Sequence, residues 1–213
     1  LYGQTECGAV ATSLWREHHD VNDLDRLASC GLPMPNVRVE LLDETGRPVM
    51  EGEAGEICIQ GPSVMRGYFK QPELTAETIV DGWLHTGDMA VRDDEGFITI
   101  VDRKKDMIVS GGFNVFPREI EDVLTAHPSV SAAAVIGVPD ERWGEAVKAV
   151  VVARPGETID PEALKGLVKE RKGPIYAPKT VDVVDSLPLT AVGKADKKAL
   201  RARYWGDTKR GVH

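Results

Sequence analysis

A change of period at a charged knot constrains this chain more than any other feature. Between residues 36 and 101 the apolar residues come in short, strand-length runs separated by turn residues. Beyond residue 105, apolar runs alternate with segments of helical spacing. Between them lies Asp102-Arg103-Lys104-Lys105-Asp106. A plain hairpin asks for Gly, Asn or Asp in a small loop, not for five charges in a row. The knot therefore reads as a seam between two folded units.

Before the seam, Val37, Val39 and Leu41 alternate with polar residues and Asp43-Glu44-Thr45-Gly46 supplies a turn. Glu56 to Ile59 reads as a strand that Gly61-Pro62 breaks, and Glu73 to Ile79 as a short helix. Asp93 to Gly96 turns between Met89–Val91 and Phe97–Val101. Such a succession predicts a small barrel or a curled antiparallel sheet. After the seam, Pro117 suits a first helical turn, with Ile120, Val123 and Leu124 on one face. Val130–Val138 is too apolar to alternate, which predicts a strand buried on both faces. Val147–Ala153, a helix opened by Asp160-Pro161, Val181–Val184 and a helix over Lys197–Tyr204 complete the pattern. The fold class predicted is mixed α+β: a β-rich, barrel-like unit over residues 1–104, then a small α+β unit over 105–213 whose short sheet is flanked by helices.

Lys plus Arg number 26 against 34 Asp plus Glu, a net charge of −8, which argues against nucleic acid as a partner. No apolar run approaches the ~20 residues that a membrane-spanning helix needs. Cys7, Cys30 and Cys58 are odd in number and lack metal-ligand spacing, the pattern of a cytoplasmic protein. Leu1 is not an initiator, so a fragment is expected.

Four islands carry chemistry: Tyr2–Glu6 (YGQTE), Gly82–Asp88 (GWLHTGD), Asp102–Gly112 (DRKKDMIVSGG) and Pro188–Lys194 (PLTAVGK). Each alone has a plain structural reading: a capping acid, a Trp beside a turn, a flexible Gly pair, a loop with an exposed lysine. Together, in this order, they resemble the adenylate-forming superfamily that includes acyl-CoA synthetases, aryl-CoA ligases, luciferases and peptide-synthetase adenylation domains. The wording around Ser110–Glu121 is most similar to the acyl-CoA synthetase branch.

The resemblance implies an ATP-dependent ligase that converts a carboxylic acid, most naturally a fatty acid, into acyl-AMP and then acyl-CoA. An aryl-acid or dicarboxylate CoA ligase, or a nucleotide-binding regulatory module without turnover, are the alternatives. ATP, Mg²⁺ and CoA are the implied substrates and cofactors. By the resemblance, Tyr2 lies against adenine, Gly3 belongs to the same nucleotide motif, Thr5 sits near phosphate and Glu6 helps hold magnesium. Asp88 grips the ribose diol, with Arg103 beside it. Lys194 is the catalytic lysine of adenylation and Lys105 the hinge. Ser110, Gly111 and Gly112 line the path of the pantetheine arm, while Lys104 and Asp106 are expected to be solvated. The implied partners are the nucleotide, the acid, CoA and the upstream portion of the same enzyme, which carries a Gly-rich phosphate loop not found in this sequence. A homodimer and a lysine acetyltransferase acting on Lys194 complete the expectations, and the isolated chain is expected to be inactive.

Overall fold

The computed structural model describes residues 1–205. The chain divides after Lys104 into two compact units. In chain order the first contains β1 (Tyr2–Gln4), β2 (Gly8–Ser13), α1 (Leu24–Ala28), β3 (Leu32–Pro33), β4 (Arg38–Leu42), β5 (Gly55–Gln60), α2 (Pro72–Thr78), β6 (Ile79–Val80), β7 (Trp83–Arg92) and β8 (Ile98–Arg103). A single 3-10 turn, Lys104–Asp106, follows. The second unit contains β9 (Ile108–Ser110), β10 (Phe113–Val115), α3 (Pro117–Thr125), β11 (Val130–Asp140), β12 (Gly144–Ala153), α4 (Pro161–Lys172), β13 (Thr180–Val183) and α5 (Lys197–Trp205).

In the first unit, β1-β2-β3 form one antiparallel sheet and β4-β5-β7 the centre of another, with β6 and β8 both pairing with β7. Alternation buries Val39, Leu41, Ile57, Ile59, Leu84 and Ile98 on one side, and Tyr2 and Ala11 of the first sheet, with Cys7 from the turn between β1 and β2, join the same cluster. The two sheets thus share one core. All three cysteines lie buried as free thiols. The pairing of β5 with β7 is interrupted: Cys58 faces His85, yet Glu56 faces Met89. Thr86-Gly87-Asp88 thus oppose Ile57 alone and form a bulge, the usual device for re-aiming a side chain out of a ladder.

The second unit places β9, β11 and β13 around β12, with β10 beyond β9. Strand β13 runs parallel to β12, and α4 makes the crossover that such a parallel pair requires. One face of this sheet, with Val135, Val147, Ala149 and Val151, packs on Ile120 and Leu124 of α3 and Leu164 and Val168 of α4. The other face, with Ala134, Ile136 and Val150, packs on Leu200 of α5. The unbroken apolar run of β11 follows directly from burial on both faces. Asp160 caps α4 by accepting from the Glu162 N–H, and Pro161 occupies the first turn. Among the described residues no helix is long and apolar enough to cross a membrane.

Two short elements depart from expectation: Tyr2–Gln4 is itself a strand, and Phe113–Val115 forms a strand before α3 begins. Trp83 opens β7 as a half-buried residue directly after the Asp81-Gly82 turn.

Candidate nucleotide and acyl-transfer site

In the first unit the islands YGQTE and GWLHTGD converge on one carboxylate. Tyr2 donates its hydroxyl hydrogen to Asp88 Oδ2 at 2.8 Å, and Gln4 Nε2 donates to the same oxygen at 2.8 Å. The Gln4 amide also reaches the Tyr2 hydroxyl and the Thr86 carbonyl, at 3.1 and 3.0 Å. Across the β7–β8 ladder Asp88 faces Arg103, whose Nε lies 3.5 Å from Asp88 Oδ1. Asp88 is nearly buried, whereas the Arg103 side chain is 61% exposed, so the pair opens outward. Tyr2 is only 8% exposed, and burial, reinforced by the Asp88 charge, pushes its phenol far above the ordinary range. It therefore stays a donor. Gly3 crosses β2 so closely that a Cβ there would meet the Ala9 carbonyl oxygen at 2.4 Å.

Thr5 is exposed at the start of the 3-10 turn Thr5–Cys7. Glu6 is half-buried, and its Oε1 accepts from the Tyr68 hydroxyl at 2.9 Å. Its backbone carbonyl accepts from Met65 N–H. The hydrogen bond to Glu6 raises the Tyr68 phenol, with burial second. Tyr68 lines an open cleft of about 530 Å³ with Arg66, Phe69 and Thr75.

A residue outside the four islands joins this region to the seam. Glu56, 5% exposed, accepts from Gly87 N–H through Oε1 (2.9 Å) and from Lys104 Nζ through Oε2 (2.9 Å), with His85 Nδ1 3.1 Å from Oε2. Burial alone would raise this carboxyl. The hydrogen bonds from Lys104, His85 and Gly87 outweigh it and hold the group below its ordinary value. Lys104 is thus paired, not solvated. Asp106 likewise accepts from Arg201 at 2.9 Å, with both side chains largely buried. The expectation of two solvated charges fails because both partners are remote in sequence, 48 and 95 residues away.

Glu56, Cys58 and His85 bring three ligand-type atoms within 4.8 Å of one another. The trio makes a poor metal site. The Lys104 ammonium already occupies the shared oxygen, and burial followed by the Glu56 charge pushes the Cys58 thiol up to about 12.

In the second unit Gly111-Gly112 is the two-residue connection of the β9–β10 hairpin, flanked by the pair Ser110↔Phe113. The φ values of +59° and +83° are those of a type I′ turn, which needs φ > 0 at both positions. Trp143 backs this turn: its carbonyl accepts from Gly111 N–H at 2.9 Å, and a Cβ on Gly111 would strike its indole at 2.4 Å. Arg142 and Lys179 flank the indole at 4.7 and 5.1 Å. Lys194 closes a tight turn in which Thr190 N–H donates to the Lys194 carbonyl at 2.7 Å and Gly193 N–H to the Thr190 carbonyl at 2.9 Å. Its side chain is exposed, as is that of Lys105. Tyr2, Asp88 and Arg103 are brought together within the first unit, whereas Lys194 and Ser110–Gly112 belong to the second.

The profile of the AMP-binding enzyme family matches residues 1–69, and that of the AMP-binding enzyme C-terminal domain matches residues 119–194. The chain belongs to the adenylate-forming AMP-binding enzymes. It is 55% identical over 218 residues to the medium/long-chain-fatty-acid–CoA ligase FadD8 of Mycobacterium tuberculosis, covering 99% of this chain and 38% of that protein. It is 45% identical over 203 residues to a feruloyl-CoA synthase of an Amycolatopsis species, covering 95% and 40%. Among solved structures, the o-succinylbenzoate CoA synthetase MenE of Bacillus subtilis, in complex with the acyl-adenylate OSB-AMP, matches with a TM-score of 0.83. There the identity is 33%, over 99% of this chain and 41% of that one. The chain thus spans about two fifths of the length of the curated relatives it matches.

Within this adenylate-forming frame, Gln4, Glu56, Tyr68 and Trp143 are the residues that motif reading passed over. Gln4 lies inside the YGQTE island. The other three gain their places only through long-range pairing.

Proposed function

We propose that the chain is part of an ATP-dependent acyl-CoA synthetase. A carboxylic acid attacks the α-phosphate of ATP to give acyl-AMP and pyrophosphate, and the CoA thiol then displaces AMP. The observation that carries this reading is the preassembled Asp88 carboxylate. Its Oδ2 is saturated by Tyr2 and Gln4, while Oδ1 faces the outward-pointing Arg103. With Oδ2 taken, the lone pairs of Oδ1 are what the carboxylate offers a ribose hydroxyl, and the outward-facing Arg103 marks the open side. Tyr2 lies on the adenine side and, with little ring exposed, chiefly orients Asp88.

Thr5 is assigned to the phosphates. Glu6 offers the hard oxygen donor that would hold Mg²⁺, which when bound would neutralise phosphate charge. Lys194, held by the Thr190–Lys194 turn, supplies a positioned ammonium for the charge that builds as carboxylate meets phosphate. Residues 1–104 act as nucleotide-binding domain and 105–213 as mobile domain, with Lys105 as the pivot between an adenylating and a thioester-forming pose. In the second pose Ser110–Gly112 offer the pantetheine arm a passage without side chains.

Identity to the fatty-acid ligase FadD8 favours a fatty acid; the 45% identity to a feruloyl-CoA synthase supports an aryl acid as the second reading. The test is a panel of fatty, aryl and dicarboxylic acids offered with ATP, Mg²⁺ and CoA to the full-length gene product, reading AMP release. Turnover of long acids alone supports the first reading, turnover of aryl acids the second, and no acid-dependent AMP overturns both.

A further inference from the structure

The 3-10 turn Lys104–Asp106 places three charged residues in succession, and the outer two are tied down from within their own units. Lys104 Nζ reaches Glu56 at 2.9 Å, where the Glu56 side chain is only 7% exposed. Asp106 Oδ1 reaches Arg201 of α5 at 2.9 Å, with side chains 14% and 17% exposed. The Lys104 side chain is itself 36% exposed, so in the first pair it is the Glu56 carboxylate that is shielded, whereas in the second both charges are. Removing the partner of a shielded charge leaves it poorly hydrated. Each is a charge-assisted hydrogen bond with a defined direction. Between the two anchors lies Lys105.

Glu56 does more than hold Lys104. Its other oxygen accepts from Gly87 N–H in the middle of the β7 bulge, next to Asp88. Lys104 in turn follows Arg103, the cross-strand partner of Asp88. One buried carboxylate therefore fixes both the backbone that presents Asp88 and the first residue of the turn.

We propose that Glu56, Lys104, Asp106 and Arg201 are positioning residues for domain alternation. The two ion pairs clamp the turn on either side, so the backbone change between half-reactions falls on Lys105. Glu56 keys that clamp to the nucleotide-gripping bulge. A hinge is a few residues that absorb a large change in φ and ψ, and here the anchors set its length. The proposal rests on the two-pose reading given above.

The test uses the full-length protein and measures each half-reaction separately: pyrophosphate release from acid plus ATP, and thioester formation from supplied acyl-adenylate plus CoA. Asp106→Asn removes one anchor with little change of shape. The pair Glu56→Gln with Lys104→Met removes the other without stranding a buried charge, and the glutamine oxygen still accepts from Gly87. Each is expected to shift the ratio of the two half-reaction rates by about 5-fold or more. The charge exchange Asp106→Arg with Arg201→Asp should bring the ratio back toward that of the unaltered protein. A ratio that stays put while the melting temperature falls makes the pairs merely structural and overturns the clamp alone. An unaltered protein that performs neither half-reaction with any acid overturns the function, and the clamp with it.

Discussion

The candidate regions of the two units are built in opposite ways. Around Asp88 the side chains are wired to one another: Tyr2, Gln4 and Arg103 all address one carboxylate, with Tyr2 and Asp88 buried. Around Lys194 and Gly111-Gly112 the backbone is fixed instead. Both are tight turns with φ > 0 glycines, and the groups they present stand exposed. A group that grips a ligand through every step gains from a preorganised cage of partners. A group required in only one step must be accurate in position yet unattached, and a rigid turn carrying an unpartnered tip achieves that.

Four substitutions break or sharpen the contrast. Lys194→Ala should show the largest effect, slowing acyl-adenylate formation by about 10²–10³-fold, the usual cost of one transition-state charge stabiliser. Thioester formation from supplied acyl-adenylate should change only a few-fold. Equal loss in both would take Lys194 out of its assigned step. Gly111→Val tests the turn itself. It forces a branched side chain to positive φ and against the Trp143 indole, at a cost on the order of 2–4 kcal/mol. A melting temperature unchanged in thermal denaturation would show that the turn is not the constraint.

Asp88→Asn should weaken ATP binding by about 10-fold or more, since hydrogen bonds to a charged group are worth roughly 1.5–3 kcal/mol each. Equilibrium titration with ATP reads it, and an unchanged Kd would remove Asp88 from the ribose. The smallest effect concerns pH. The folded-state carboxyl of Glu56 titrates below its ordinary value of 4.5, so its stabilising contribution is whole above that value. It drains away as pH falls through the lowered one. Glu56→Gln should therefore melt lower than the unaltered protein at neutral pH, with the gap closing in acid. A gap constant from pH 7 to pH 3 would contradict the pairing with Lys104.

What could be read from the sequence follows the range of the interactions involved. Helix α3, with Pro117 ahead of Ile120, Val123 and Leu124, and strands β11 and β12, with their unbroken apolar runs, announce themselves locally. The short strands β1 and β10 do not: three residues are too few to show a period. In hindsight the Gly111-Gly112 pair, between Ile108-Val109 and Phe113-Asn114-Val115, is a two-residue hairpin signal. The plain reading of a flexible Gly pair misses this, because each flanking run is too short to show a strand period on its own. Lys104 and Asp106 look like solvated charges in any local window. Only the register of β5 against β7 and the docking of α5 supply Glu56 and Arg201. The same holds for Trp143, whose contact with Gly111 spans one helix and two strands.

The three buried cysteines have a consequence for the thiol chemistry of this chain. Burial raises all three thiols, Cys58 to about 12, so almost none is thiolate near neutral pH. Thiolate is the species that attacks a disulfide. A small-molecule disulfide in solution would therefore find Cys7, Cys30 and Cys58 both shielded and protonated, three sulfurs unready to exchange with it.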